Sequence, residues 1–286
     1  MASRVVNPLS VTTATSLTKL EKKWTCSFHL SMLASPLRKC IVTSKLVPTC
    51  LLFQLKVVTL PSLSSGVPPK TNSAQGDRER IVMLPDQILH PKYIPKRVGK
   101  GIWLTLNPGV YAQLERKGMH KMLNPKAGLV GGLQELVWRQ LGERVVQETE
   151  LVLALFAGRK RIDLITEGQK GEKGEKGEKG EKGEKGEKGE SGQCAVSYTI
   201  QIGEGSGEGE LGANTIFVPK FADEEQKNRF EERLRALAKL SGVEGAKAVQ
   251  VYGVKQRQVT APLAVALYRL QLWTRSLPSP AKRSNP

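Results

Sequence analysis

A strictly periodic tract in the second half of the chain constrains its folding more than any other stretch. Glycine occupies every third position from Gly168 to Gly192, and six of the nine triplets read Gly-Glu-Lys. Glycine costs about 1 kcal/mol relative to alanine inside a helix, so nine glycines exclude a helical connector. Residues 168–194 contain no aromatic or β-branched side chain, which excludes a strand with a buried face. We therefore expect the folded parts of the chain to lie on either side of this tract.

Two interpretations of the tract remain open. The first is a solvated, disordered linker over residues 168–194, neutral overall because it carries seven Lys and seven Glu. The second follows from the glycine period, which resembles collagen, where only glycine fits at the axis of three chains. That resemblance implies a homotrimer with alternating charges available for pairing between chains. We expect the linker and keep the collagen-like trimer as the alternative.

Composition points to a polyanionic partner and away from catalysis. The formal net charge is +17, which favours contact with nucleic acid. Three histidines and four cysteines without a C-x-x-C pair cannot build a zinc site at any usual spacing. No catalytic triad and no phosphate-binding lysine loop is recognisable. We expect no catalytic residues, no metal and no cofactor.

Residues 1–76 are basic and rich in Ser and Thr, with nine Lys or Arg against one acidic residue, Glu21. These features are typical of an organellar transit peptide. A translated leader upstream of a start near Met83 and an ordered domain are the other interpretations. We place residues 1–76 outside the fold as a disordered leader. The longest apolar runs are too short to span a bilayer, so we expect no membrane span. The default location is the cytoplasm, or an organelle if the leader is a transit peptide.

Residues 77–167 contain the pattern of a strand followed by two helices. Residues 80–100 look irregular, and residues 102–106 then alternate as a short strand. Asn107 and Pro108 start a first helix with Val110, Tyr111 and Leu114 on its inner face. A break at residues 122–123 precedes a second helix, which Asn124 and Pro125 would begin. Its predicted inner face is formed by Leu129, Leu133, Leu136, Val137 and Leu141.

This order of elements over residues 101–141 resembles the ribbon-helix-helix family of repressors and antitoxins. The resemblance implies a homodimer in which the strands of two chains pair and enter the major groove of DNA. It also implies that outward strand residues read bases and that the N-terminus of the second helix holds a phosphate. The alternative is an amphipathic two-helix unit with an adjoining strand that packs on its own domain. The candidate DNA-binding residues are Lys100, Trp103, Thr105, Arg116, Lys117, Asn124 and Lys126.

Residues 195–277 predict a second small domain, followed by a disordered basic tail over residues 278–286. Alternating residues indicate strands near 195–202, 215–219 and 249–251. A helix is expected from residue 222 or 223 to Ser241, with Phe230, Leu234, Leu237 and Ala238 inside. A last helix follows Thr260, with Leu263, Leu267 and Leu270 inside. The predicted order is ββαβα, and the fold class of the whole chain is α+β.

The function expected from the sequence is non-enzymatic DNA binding by a dimer, as in a transcriptional regulator. The alternative is a structural or interaction protein whose repeat spaces two protein-binding ends, or joins three chains. The number of chains in the assembly separates these two hypotheses.

Overall fold

The computed structural model describes residues 26–60, 80–95, 97–156, 164–167, 197–202, 215–243 and 251–276. The repeat predicted as a linker (168–194) and the predicted tail (278–286) lie outside the described residues. Within these ranges the chain is an α+β protein with two four-stranded sheets, a two-stranded ribbon and five α-helices. The fold class predicted from the sequence is confirmed.

The first sheet has the strand order β5-β3-β4-β6. Its strands are β3 (Leu52–Leu60), β4 (Arg80–Asp86), β5 (Gly101–Thr105) and β6 (Gly128–Leu129). β3 pairs antiparallel with both β4 and β5, whereas β6 adds to β4 in parallel. The two-stranded ribbon of β1 (Leu37–Lys39) and β2 (Leu46–Pro48) precedes this sheet in the chain.

The expectation that residues 1–76 lie outside the fold is wrong for residues 26–60. Strand β3 from this segment is an interior strand of the first sheet, and Leu55 is fully buried. The short helix α1 (Phe28–Leu33) is also part of the fold, because the Phe28 ring packs edge-on against Phe217 of the opposite half of the chain. The physical reason for the error is that both faces of β3 are covered, so its residues do not alternate between apolar and polar.

Two further predictions for residues 77–167 need correction. Residues 80–86 are not irregular, because they form strand β4 beside β3. Helix α2 (Pro108–Lys117) begins as predicted, with the Asn107 side chain accepting a hydrogen bond from the Gly109 amide. Helix α3 (Leu133–Phe156), however, begins well after Asn124 and continues beyond Leu141. A 3-10 turn at Met119–Met122 and strand β6 occupy the residues between the helices.

The second sheet has the order β7-β10-β8-β9 and draws strands from both sides of the repeat. Strand β7 (Ile165–Glu167) precedes the repeat, and β8 (Ser197–Gln201), β9 (Thr215–Phe217) and β10 (Val251–Lys255) follow it. Together with α4 (Glu224–Leu240) and α5 (Ala261–Arg275), the elements after the repeat have the predicted ββαβα order.

The predicted division into two domains joined by a linker does not match the packing. Helix α3 contacts both α4 and α5, and the buried apolar residues of both halves form one continuous cluster. Val137 of α3, Leu234 of α4 and Leu267 of α5 all belong to this cluster. The repeat therefore connects two strands of one sheet and does not join two separate cores.

Candidate functional site

Trp103 and Thr105, predicted to read bases, lie on β5 against their own chain. Both side chains are half-buried, and Trp103 packs on the apolar core. β5 pairs along one edge with β3, residue Trp103 standing opposite Gln54. On the other edge the Trp103 carbonyl accepts a hydrogen bond from the Ile41 amide at 3.0 Å. The Thr105 carbonyl accepts from the Asn107 amide at 2.7 Å. Two carbonyls that a partner strand would use therefore already accept hydrogen bonds within the chain, and a DNA-reading ribbon of two chains stays a prediction.

The predicted start of the second helix at Asn124 is wrong, so the phosphate site expected there has no helix N-terminus beside it. Asn124 and Lys126 lie in a turn, where the Asn124 side chain accepts a hydrogen bond from the Lys126 amide at 2.9 Å. This local contact occupies an amide that a phosphate would need. The helix itself begins at Leu133, after Gly132 adopts a left-handed conformation with φ of 71°. That φ lies outside the right-handed helical region, so the helix starts after Gly132, and glycine adopts this conformation without steric cost.

The remaining predicted residues form an exposed basic stretch. Lys100 precedes β5, Arg116 and Lys117 end α2, and Lys126 lies in the following turn. Lys121 in the 3-10 turn is exposed as well. Within the described chain none of these five forms an ion pair. We call Arg116, Lys117, Lys121 and Lys126 the basic turn.

A separate cavity of about 350 Å³ lies where the end of β4 and the following loop face helices α3 and α5. One part of its wall is apolar and consists of Pro85, Ile88, Leu89, Pro91 and Ile94. The other part carries Asp86, Arg97, Arg144 and Arg269, together with the amides Gln87 and Gln140. Three guanidinium groups thus line one concave site.

Arg269 is the most unusual of these three arginines. It is 8% exposed, and its Nη2 donates to the Leu52 carbonyl at 3.2 Å, while its buried Nε has no hydrogen-bond partner. Among the described residues no carboxylate forms an ion pair with it. Burial, followed by the charge of nearby Arg144, lowers the pKa of Arg269 to about 10. The site therefore disfavours this charge in the absence of a bound anion.

Arg144 has a partner within its own helix. Its Nη2 lies 2.6 Å from an oxygen of Glu148, one turn later on α3. Burial lowers the pKa of Arg144, and the carboxylate of Glu148 opposes this effect. Burial and then Arg144 also lower the pKa of His90, whose amide donates to the Gln147 side chain at 2.9 Å. The lowered pKa favours the neutral form of the His90 imidazole beside these arginines.

The third arginine is held by the buried ion pair at the end of β4. Asp86 lies 3.1 Å from Lys56 of β3, and Lys56 also donates to the Arg97 carbonyl. Nη1 of Arg97 donates to the Pro85 carbonyl at 3.3 Å. These contacts hold both the backbone and the side chain of Arg97, which lines the cavity from the loop side.

Sequence reasoning missed this cavity, although one signal for a buried cation was present. Residues 261–273 are apolar at most positions, so a helix formed by them is buried on nearly every side. Arg269 is the only cation in that stretch and must therefore be buried too. Arg97 and Arg144 gave no comparable signal, because their approach depends on the folding of β4 and α3.

The comparisons with known proteins assign no family. The chain matches no family model, no curated protein and no solved structure. No helix within the described ranges is both long and apolar enough to cross a membrane. In the same part of the chain no group of three His, Cys, Asp or Glu side chains is arranged to hold a metal ion.

Proposed function

We propose that this chain is a DNA-binding protein that acts by binding and not by catalysis, through the basic turn. The supporting observation is the concentration of exposed cations in residues 116–126, which form no ion pair within the part of the chain that the structure describes. The nearest acidic residue in sequence is Glu115. On α4, in contrast, Arg229 forms an ion pair with Glu143 and Arg235 with Glu231. Cations without a carboxylate partner are free to contact phosphates.

The expected interaction is with the phosphate backbone and does not depend on base sequence. Each phosphate that a cation neutralises releases condensed counterions, and the slope of log affinity against log salt changes by about 0.9. Binding by the side chains of one chain needs no two-stranded ribbon, so it does not depend on the homodimer expected from the sequence. The number of chains bound per DNA site, measured in the same titration, tests the homodimer separately.

A structural role for two of these cations must be separated from DNA binding. Arg116 and Lys117 lie in the last turn of α2, where the helix dipole favours positive charge by about 0.3–1 kcal/mol. Their loss could therefore lower stability slightly without any effect on a ligand. The experiment must measure affinity and stability on the same variants.

The test is a titration of duplex DNA with the full chain, followed by fluorescence anisotropy at several salt concentrations. We expect Arg116→Gln/Lys117→Gln/Lys121→Gln to reduce the salt slope by about 2.5–3. The matched control is Lys220→Gln/Lys239→Gln/Arg275→Gln, which removes the same three charges from exposed positions elsewhere. No binding of the unmodified chain at low salt would sink the proposal. An equal loss in both triple variants would show that overall charge, and not the basic turn, drives association.

A further inference from the structure

The two buried cations near the end of β4 differ in how their charge is compensated. Lys56 is 2% exposed and has Asp86 at 3.1 Å. Arg269 is almost as deeply buried, has no carboxylate partner within the described residues, and leaves Nε without any hydrogen bond. Burying a charge without a partner costs free energy. The burial of Arg269 therefore indicates that its charge has a function. That charge lines the cavity.

The charges around the cavity leave an excess that matches a dianion. The charged residues of the cavity wall are Asp86, Arg97, Arg144 and Arg269. Lys56 and Glu148 adjoin the wall as the ion-pair partners of Asp86 and Arg144, so four cations stand against two carboxylates. Asp86 compensates Lys56 and Glu148 compensates Arg144. Arg97 and Arg269 remain as two positive charges on the wall. Guanidinium groups donate several hydrogen bonds in one plane and bind phosphate oxygens more strongly than neutral donors do.

The rest of the wall indicates that the ligand has an apolar body. Ile88, Leu89 and Ile94 face the same space as the arginines. A volume of about 350 Å³ exceeds that of an inorganic phosphate and falls within the range of small-molecule sites, about 300–1,000 Å³. A lone oxyanion would leave most of the cavity empty and the apolar side chains without a partner.

We propose that this cavity binds a small organic phosphate monoester, with the phosphate group on Arg97, Arg144 and Arg269. The organic part lies against Ile88, Leu89 and Ile94. The site is separate from the basic turn, and its ligand is a dianionic monoester, whereas the DNA backbone consists of monoanionic diesters. Either proposal can therefore fail without the other.

The test uses the full chain and three probes: phenyl phosphate, benzoate and inorganic phosphate. We expect phenyl phosphate to raise the thermal unfolding midpoint with increasing concentration, and to bind at least tenfold more tightly than benzoate or inorganic phosphate in calorimetry. Arg269→Met should abolish the response, while Arg275→Gln, on the same helix but exposed, should retain it. Arg97→Gln, in a half-buried loop position, provides a second variant if Arg269→Met does not fold.

Two outcomes overturn the assignment. Equal affinity for benzoate and phenyl phosphate would show that the site does not select phosphate. An undiminished response in Arg97→Gln and Arg269→Met would show that phenyl phosphate binds elsewhere. The pH dependence gives an independent readout, because a phosphate monoester takes up a proton near pH 6. Affinity for phenyl phosphate should fall several-fold between pH 7 and pH 5, and a constant affinity contradicts recognition of the dianion.

Discussion

Lys56 and Asp86 form an ion pair at 3.1 Å with side chains only 3% and 5% exposed. They belong to neighbouring antiparallel strands, where Asp86 stands opposite Gln54, two residues before Lys56. The pair therefore lies on one face of the sheet as a diagonal cross-strand contact. Lys56 also donates to the Arg97 carbonyl, so this contact joins the interior of the first sheet to the cavity loop.

Removing one member of this pair is expected to destabilise the protein strongly. Asp86→Asn leaves Lys56 buried without a carboxylate, which should lower the free energy of unfolding by about 3–5 kcal/mol. The control is Glu135→Gln, which removes the exposed ion pair with Arg139 and should lower the free energy of unfolding by no more than about 1 kcal/mol. Urea unfolding followed by circular dichroism measures both.

Replacing both residues distinguishes the free-energy cost of one buried charge without a partner from the net contribution of the ion pair to stability. In Lys56→Met/Asp86→Leu both charges of this pair are removed, so we expect the double variant to be more stable than Asp86→Asn. If Asp86→Asn costs no more than Glu135→Gln, the pair is not buried as described.

Strand β3 should be essential to the fold, although its sequence gives little sign of a strand. Leu55 is fully buried, and Leu55→Ala should lower the free energy of unfolding by about 2–5 kcal/mol. Leu60, at the end of the same strand, is 37% exposed, and Leu60→Ala should cost about 0.5 kcal/mol or less. Urea unfolding of both variants provides the measurement. Similar costs at the two positions would mean that β3 is not an interior strand.

Elements with one buried face could be predicted from the sequence. Phe230, Leu234, Leu237 and Ala238 were expected on the inner face of α4, and these four are buried. The start of α2 at Pro108 was likewise predicted from its N-cap. Such helices carry their own pattern, because one side meets the core and the other meets water.

Elements and sites that depend on residues distant in sequence could not be predicted from the sequence. In β3, Gln54 and Lys56 interrupt an apolar run, and their burial depends on polar partners in the distant β4 region, Gln87 and Asp86. The exposed lysines and arginines of the basic turn could be listed from sequence. The cavity could not, because Arg97, Arg144 and Arg269 come together only when a loop, α3 and α5 pack.

A side chain at Gly101, at the start of β5, should destabilise the fold. A Cβ placed there would lie 2.8 Å from the Leu55 carbonyl oxygen and 2.6 Å from Nε2 of Gln54. The backbone of the interior strand β3 cannot easily move aside, so Gly101→Ala should lower the free energy of unfolding by about 1–3 kcal/mol. Gly131 is the matched control, because a Cβ there meets nothing within 4 Å. Gly131→Ala should be neutral or stabilise by up to about 1 kcal/mol. Thermal and urea unfolding measure the stability of both variants. An equal loss of stability at both sites would contradict the close approach of Gly101 to β3.

The Gly-Glu-Lys repeat lies in sequence between strands β7 and β8, which flank β10 in one sheet. Glu167 stands opposite Tyr252 and Ser197 opposite Lys255, so the two ends are separated by two strand spacings and three residues of register. With strand spacings of about 4.8 Å and a rise of about 3.3 Å per residue, this separation is roughly 14 Å. A connection of about eight residues can span it, since an extended chain covers about 3.3 Å per residue.

Replacing residues 168–194 by eight Gly and Ser residues should therefore leave the fold intact. Closing a shorter loop costs less entropy, and the free energy of unfolding should rise by about 1 kcal/mol relative to a Gly-Ser replacement of the original length. Urea unfolding measures this difference, and light scattering coupled to gel filtration measures the mass of each variant. We expect the intact and shortened chains to have the same number of subunits. A trimer that becomes a monomer on replacement would show instead that the repeat assembles three chains, as the collagen-like alternative requires.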